Sequence, residues 1–151
     1  MTKSQVNSIA RCLMATCALL LAGVSTQVDA QLPGPHPKYL QAIRDLRQAR
    51  ALLTTNFGIP AHAAAANAAI PQINEAIADL KSASHLDEKN LGEVPPPKAM
   101  PPEGRFHEVA ALLGSAHDDI KMPESDPVAQ PFKDKALGHI DSARAAIKPV
   151  A

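Results

Sequence analysis

The sequence predicts an all-α protein: a four-helix bundle built from two repeated helical hairpins, placed after a cleaved signal peptide. Three observations point there. Apolar side chains recur every three or four residues in four separate blocks, the spacing of one helix face. Breaks bearing proline and glycine part those blocks. The chain also superposes on itself at an offset of 67 residues, block upon block, without a gap.

Residues 1–30 have the parts of a secretory leader: Lys3 and Arg11 as charges, an apolar run from Cys12 to Val24, and a short polar stretch to Ala30. The run is shorter than the roughly 20 residues that cross a hydrocarbon core of about 30 Å. Val28 and Ala30 hold the small-residue positions of a cleavage site, so the cut is expected between Ala30 and Gln31. A lipid anchor on Cys17 competes with this reading, but Thr16 before it fits a lipobox poorly. The expected address is the periplasm or the outside of the cell. Both cysteines, Cys12 and Cys17, leave with the leader. Residues 31–151 then hold no thiol for a disulfide, a metal or a nucleophilic attack.

Without Lys3, Arg11 and Asp29, 13 basic side chains face 14 acidic ones. That balance gives no electrostatic footprint for nucleic acid, whose phosphates must be neutralised. One Tyr, three Phe and no Trp provide no stacking platform for single strands.

The first hairpin is expected over residues 37–86. Residues 31–37 are not expected to be helical, because each proline fixes φ and restricts its predecessor. The first helix begins at Pro37 with the stripe Tyr39, Ile43, Leu46, Ala49 and Leu53, and Asn56-Phe57-Gly58 ends it, Gly58 suiting a left-handed C′ position. An alanine run leads into the stripe Ile70, Ile73, Ile77 and Leu80, so the second helix covers about 62–86. Pro71 falls inside it, and a kink or two abutting helices are expected there.

Residues 87–102 form a proline-rich connector, Asp-Glu-Lys-Asn-Leu-Gly-Glu-Val-Pro-Pro-Pro-Lys-Ala-Met-Pro-Pro. Extended at about 3.1 Å per residue, it can cross a whole bundle. Helix order is therefore not fixed by loop length. The second hairpin is expected over 103–148. Its first helix carries Phe106, Val109, Leu113, Ala116 and Ile120 and stops before Pro123. Its second opens with Asp126 as N-cap and Pro127 at the first helical position, carries Phe132, Ala136, Ile140, Ala143 and Ile147, and ends at Pro149. Under the offset of 67, Leu46 meets Leu113, Pro60 meets Pro127 and Ile73 meets Ile140. A lone hairpin buries one face of each helix, so the halves must pack together.

The segment His36-Pro37-Lys38-Tyr39-Leu40-Gln41-Ala42-Ile43-Arg44-Asp45-Leu46-Arg47-Gln48-Ala49-Arg50 resembles a His-Pro-x-Tyr-Leu-x-Ala-x-x-Asp-Leu-Arg-x-Ala-Arg box found in small exported bacterial helical proteins. The likeness extends to Ile73-Asn74-Glu75-Ala76-Ile77, the connector from Lys89 to Pro96, Gly104 to His107, and His139 to Ala143. Pro71 and the alanines from Ala63 to Ala69 depart from it. The resemblance implies export and a helical fold, and brings no activity.

All six histidines fall within residues 31–151. If the helices alternate in direction, the start of the first, the end of the second and the start of the third share one end. That would gather His36, His85 and His107, with Asp87, Glu88 and Glu108 nearby, a donor set suited to Zn²⁺ or Cu²⁺. The plain alternative is separate surface or capping histidines. Covalent haem would need Cys-x-x-Cys-His, which is missing; a Met-ligated haem would need Met100 or Met122, both beside loop prolines. No nucleophile elbow, phosphate loop or His-Glu-x-x-His appears, so no enzyme is expected. Asp118 and Asp119 read as a solvated helix face. Arg44, Arg47 and Arg50 make a cationic strip, either a docking strip for an anionic envelope surface or partner, or a face paired with Asp45, Glu75 and Asp79. The functional expectation is an exported binding or scaffolding protein of the cell envelope, with periplasmic metal binding as the alternative.

Overall fold

A computed structural model describes residues 37–55, 57–85, 91–97 and 99–151. The predicted leader, the stretch from Gln31 to His36, and Asp87 and Glu88 lie outside these residues. Four helices follow in order: α1 (Pro37–Leu53), α2 (Pro60–Ser84), α3 (Pro102–Ile120) and α4 (Gln130–Ile147). Among the described residues no helix is long and apolar enough to cross a membrane.

Prolines set the helix starts. Pro37, Pro60 and Pro102 each open a helix, where a missing N–H costs nothing and the fixed φ is already helical. At α4 the expected cap forms, Asp126 Oδ1 accepting the Val128 N–H at 2.8 Å. The regular helix nevertheless starts later, at Gln130, because Pro131 has no N–H to give the Pro127 carbonyl. Pro71 does not break α2, which runs unbroken from Pro60 to Ser84 with Pro71 exposed.

The end of the first helix corrects an expectation. α1 stops at Leu53, before Gly58. The Thr54 and Thr55 hydroxyls donate to the Ala51 and Leu52 carbonyls at 2.8 and 2.7 Å, so threonines satisfy the last turn. Gly58, at φ +67°, turns the loop toward Pro60 instead. α2 ends at His85, whose φ of +52° and N–H bond to the Lys81 carbonyl do the work usually left to glycine.

The buried positions explain why four amphipathic helices make one core. They fall at alternating steps of three and four: Tyr39, Ala42, Leu46, Ala49 and Leu53 on α1; Ala69, Ile73, Ala76, Leu80 and Ala83 on α2; Phe106, Val109, Leu113, Ala116 and Ile120 on α3; Ala136, Ile140, Ala143 and Ile147 on α4. A mean step of 3.5 keeps each seam facing its neighbours along the bundle. Large and small residues alternate along α1, α2 and α4, so a large side chain of one helix can fill the space left by an alanine on the next.

Each helix packs most closely on its repeat equivalent: α1 on α3, and α2 on α4. Three bonds give the direction of the first pair. Tyr39 near the start of α1 donates to Glu124, just past the end of α3; Ser115 donates to Asp45 midway; Arg105 at the start of α3 donates to Thr55, just past the end of α1. The two helices are antiparallel, which overturns the alternating arrangement that would have made them parallel. The connector is the physical reason: it is long enough to carry the chain back along the bundle before α3 begins.

Between α2 and α4 the His139 ring meets the Gln72 side-chain oxygen at 2.9 Å. These two residues are the pair that the 67-residue offset superposes. Equivalent residues of a repeat touch one another where a two-fold axis passes between them. The two hairpins thus face each other across a pseudo-dyad.

Candidate functional site

The structure does not gather the predicted metal ligands. His36 lies outside the described residues. The His62 ring, near the start of α2, is 5.1 Å from the Phe106 ring at the start of α3. His107 follows Phe106, whereas His85 stands 23 residues beyond His62 along α2, about 35 Å at 1.5 Å per residue. His85 and His107 are therefore at opposite ends of the bundle. Among the described residues, no group of three or more His, Cys, Asp or Glu side chains is placed to hold a metal ion. Met122 is exposed and Met100 packs at the margin of the core.

The other histidines sit between helices. His117 has Asp118 at 3.7 Å and Asp141 of α4 at 3.8 Å, and His139 has Asp79 of α2 at 3.7 Å besides Gln72. His62 joins Phe57 and Phe106 in an aromatic cluster, over which the Arg105 guanidinium lies 4.8 Å from the Phe57 ring. The His62 Nδ1 is buried there without a hydrogen-bond partner among the described residues.

Two members of the arginine strip have separate tasks in the fold. Arg47 donates to the Leu91 and Gly92 carbonyls at 3.3 and 2.9 Å, holding the connector on α1. Arg50 donates to the Asn74 side chain of α2 at 3.0 Å. Among the described residues the expected pairing with Glu75 or Asp79 is not formed, and Asp79 has the His139 ring at 3.7 Å instead. Arg44 is exposed, and among the described residues no hydrogen bond or ion pair engages it.

Arg47 and the connector create a feature with the form of a binding site. Leu91, 2% exposed, inserts into the core as an anchor. Gly92, at φ +65°, turns the chain immediately after it, a conformation a Cβ would strain. Between α1 and residues 91–95 lies a groove of 330 Å³, within the range of small-ligand sites. Gln41, Arg44 and Gln48 line the helix side; Glu93, Val94 and Pro95 line the connector side. At its floor Asp45, 8% exposed, accepts from Gln41 at 3.0 Å and from Ser115 at 2.7 Å.

Several polar groups shift for reasons the packing makes plain. Burial, then the Asp45 charge, raises the Asp119 carboxyl above its usual range, while Lys38 opposes the shift. The Lys121 ammonium, 3.0 Å away, lowers the exposed Asp118. Burial and the bond to Glu124 push the Tyr39 hydroxyl up. Asp119 is thus half-buried beside a second carboxylate, which the solvated face read from the sequence did not anticipate.

Sequence reasoning missed the buried Asp45, the Lys133 side chain, 3% exposed and donating to the Met122 carbonyl at 2.8 Å, and the Leu91 anchor. The anchor alone had a signal, since Leu91-Gly92 is an isolated apolar residue and turn in a polar segment. The boxed segment supplies much of this architecture, with Tyr39, Leu40, Ala42, Leu46 and Ala49 in the core and Arg47 on the connector. Compared with protein families, with curated proteins and with solved structures, the chain finds no match.

Proposed function

We propose that this chain is an exported, non-enzymatic helical-bundle protein that acts by binding, in the periplasm or outside the cell, through the face where the connector crosses α1. One observation carries the reading: Leu91 and the two Arg47 bonds fix a proline-rich segment against a rigid helix, and the groove so walled contains an arginine, Arg44, that has no bonding partner among the described residues. Sites held by packed elements keep their geometry without a ligand, which lowers the entropic cost of binding. The leader of residues 1–30 and the boxed segment support the exported address. The pairing of His117 and His139 with carboxylates of neighbouring helices supports structural work for those groups.

The test has two parts. Cells expressing the full chain are fractionated, and the expected product outside the cytoplasm has the mass of residues 31–151; retention of the uncut chain in the cytoplasm would end the export reading. Amide exchange is then followed at residues 41–48 and 91–95 with and without an envelope extract. Slowing at both segments is expected, and its loss in Arg44→Ala. Exchange that the extract leaves unchanged would end the binding reading.

A further inference from the structure

The groove under the connector holds four charged side chains, and the fold uses two of them. Arg47 is bonded to connector carbonyls and Asp45 to Gln41 and Ser115. Arg44 on the helix side and Glu93 on the connector side are exposed, and neither hydrogen bonds nor pairs within the described residues. They do not pair with each other either. The groove therefore presents one cation and one anion from opposite walls, with Val94 and Pro95 adding apolar surface and Gln41 and Gln48 adding amides.

Charge of one sign is poorly matched to this arrangement. A simple anion drawn to Arg44 meets Glu93 and the Asp45 carboxylate, and a simple cation drawn to Glu93 meets Arg44 and Arg47. A ligand carrying both charges satisfies both walls. Resting on the binding role proposed above, we infer that the groove takes a small zwitterion with an aliphatic body, a free amino acid or short peptide. Its carboxylate lies on the Arg44 guanidinium, whose fork of donors suits two oxygens, and its ammonium lies on the Glu93 carboxylate. The 330 Å³ of space is enough for such a molecule. Both charged groups are open to water, so a dissociation constant of about 0.1 to 1 mM is expected.

The inference is tested by nuclear magnetic resonance titration of residues 31–151 with leucine, alanyl-leucine, N-acetyl-leucine and leucinamide. Leucine and alanyl-leucine should shift the amides of residues 41–48 and 91–95 and saturate near millimolar, with both capped forms at least about tenfold weaker. Arg44→Gln should abolish the difference between leucine and leucinamide, and Glu93→Gln the difference between leucine and N-acetyl-leucine. Both positions are exposed, so the variants should keep the wild-type spectrum elsewhere. No saturation by about 10 mM, equal binding of the capped forms, or indifference to both substitutions would overturn the inference. If the zwitterions fail while an envelope extract still slows exchange at the same segments, the ligand class falls and the binding role stands. If both fail, both fall.

Discussion

Asp119 carries an electrostatic cost of the fold that pH can reveal. It lies half-buried on α3 with Asp45 of α1 as a neighbour, and burial followed by that like charge raises its affinity for a proton in the folded state. A carboxyl raised on folding favours the native state while protonated. That contribution is fully present below the unfolded value of about 3.9 and is lost as pH rises through the raised folded value. At neutral pH the ionised group therefore works against folding. Asp119→Asn should raise the midpoint of thermal unfolding at pH 7, and the advantage should shrink toward zero at about pH 3.5. A gain independent of pH would show that the charge is not its source. The burial of Asp45 itself is compensated by two donors, Gln41 and Ser115.

At the scale of the element, the helices are held by spacing and by side-chain size. Ala143 is fully buried on α4, between the large residues Ile140 and Ile147 of the same seam. Its small size lets neighbouring helices come close, so Ala143→Leu should force the seam apart and destabilise by about 1 to 3 kcal/mol in urea unfolding. A change within about 0.5 kcal/mol would contradict the packing described. Four helices, their faces and the connector were legible in the sequence because periodicity and proline positions are local signals. Helix ends were less so. Gly58 competed with the threonine hydroxyls that close α1, and His85 adopted a left-handed conformation that no local rule assigns to histidine. The connector's anchor at Leu91 depends on which helix it crosses, so its role could not be read from the segment alone.

For the whole molecule, the arrangement of the hairpins decides what every candidate site can be. The offset of 67 residues announced two similar halves, and the Gln72–His139 contact places the pseudo-dyad between them. What the offset could not give was direction, because a connector able to span the bundle allows α3 to run either way. The antiparallel choice separates His85 from His107, so these two cannot share one metal ion. The same choice lays the connector along α1, where Arg47 and Leu91 hold it and the groove forms.

Direction is tested most directly by a distance between spin labels attached at Ser82→Cys and His107→Cys, both exposed positions, in residues 31–151, which contain no native cysteine. With α1 and α3 antiparallel, the labels sit toward opposite ends of the bundle and should lie about 30 Å apart. A distribution centred below about 15 Å would mean that α2 ends where α3 begins, and would contradict the fold, the pseudo-dyad and the groove together.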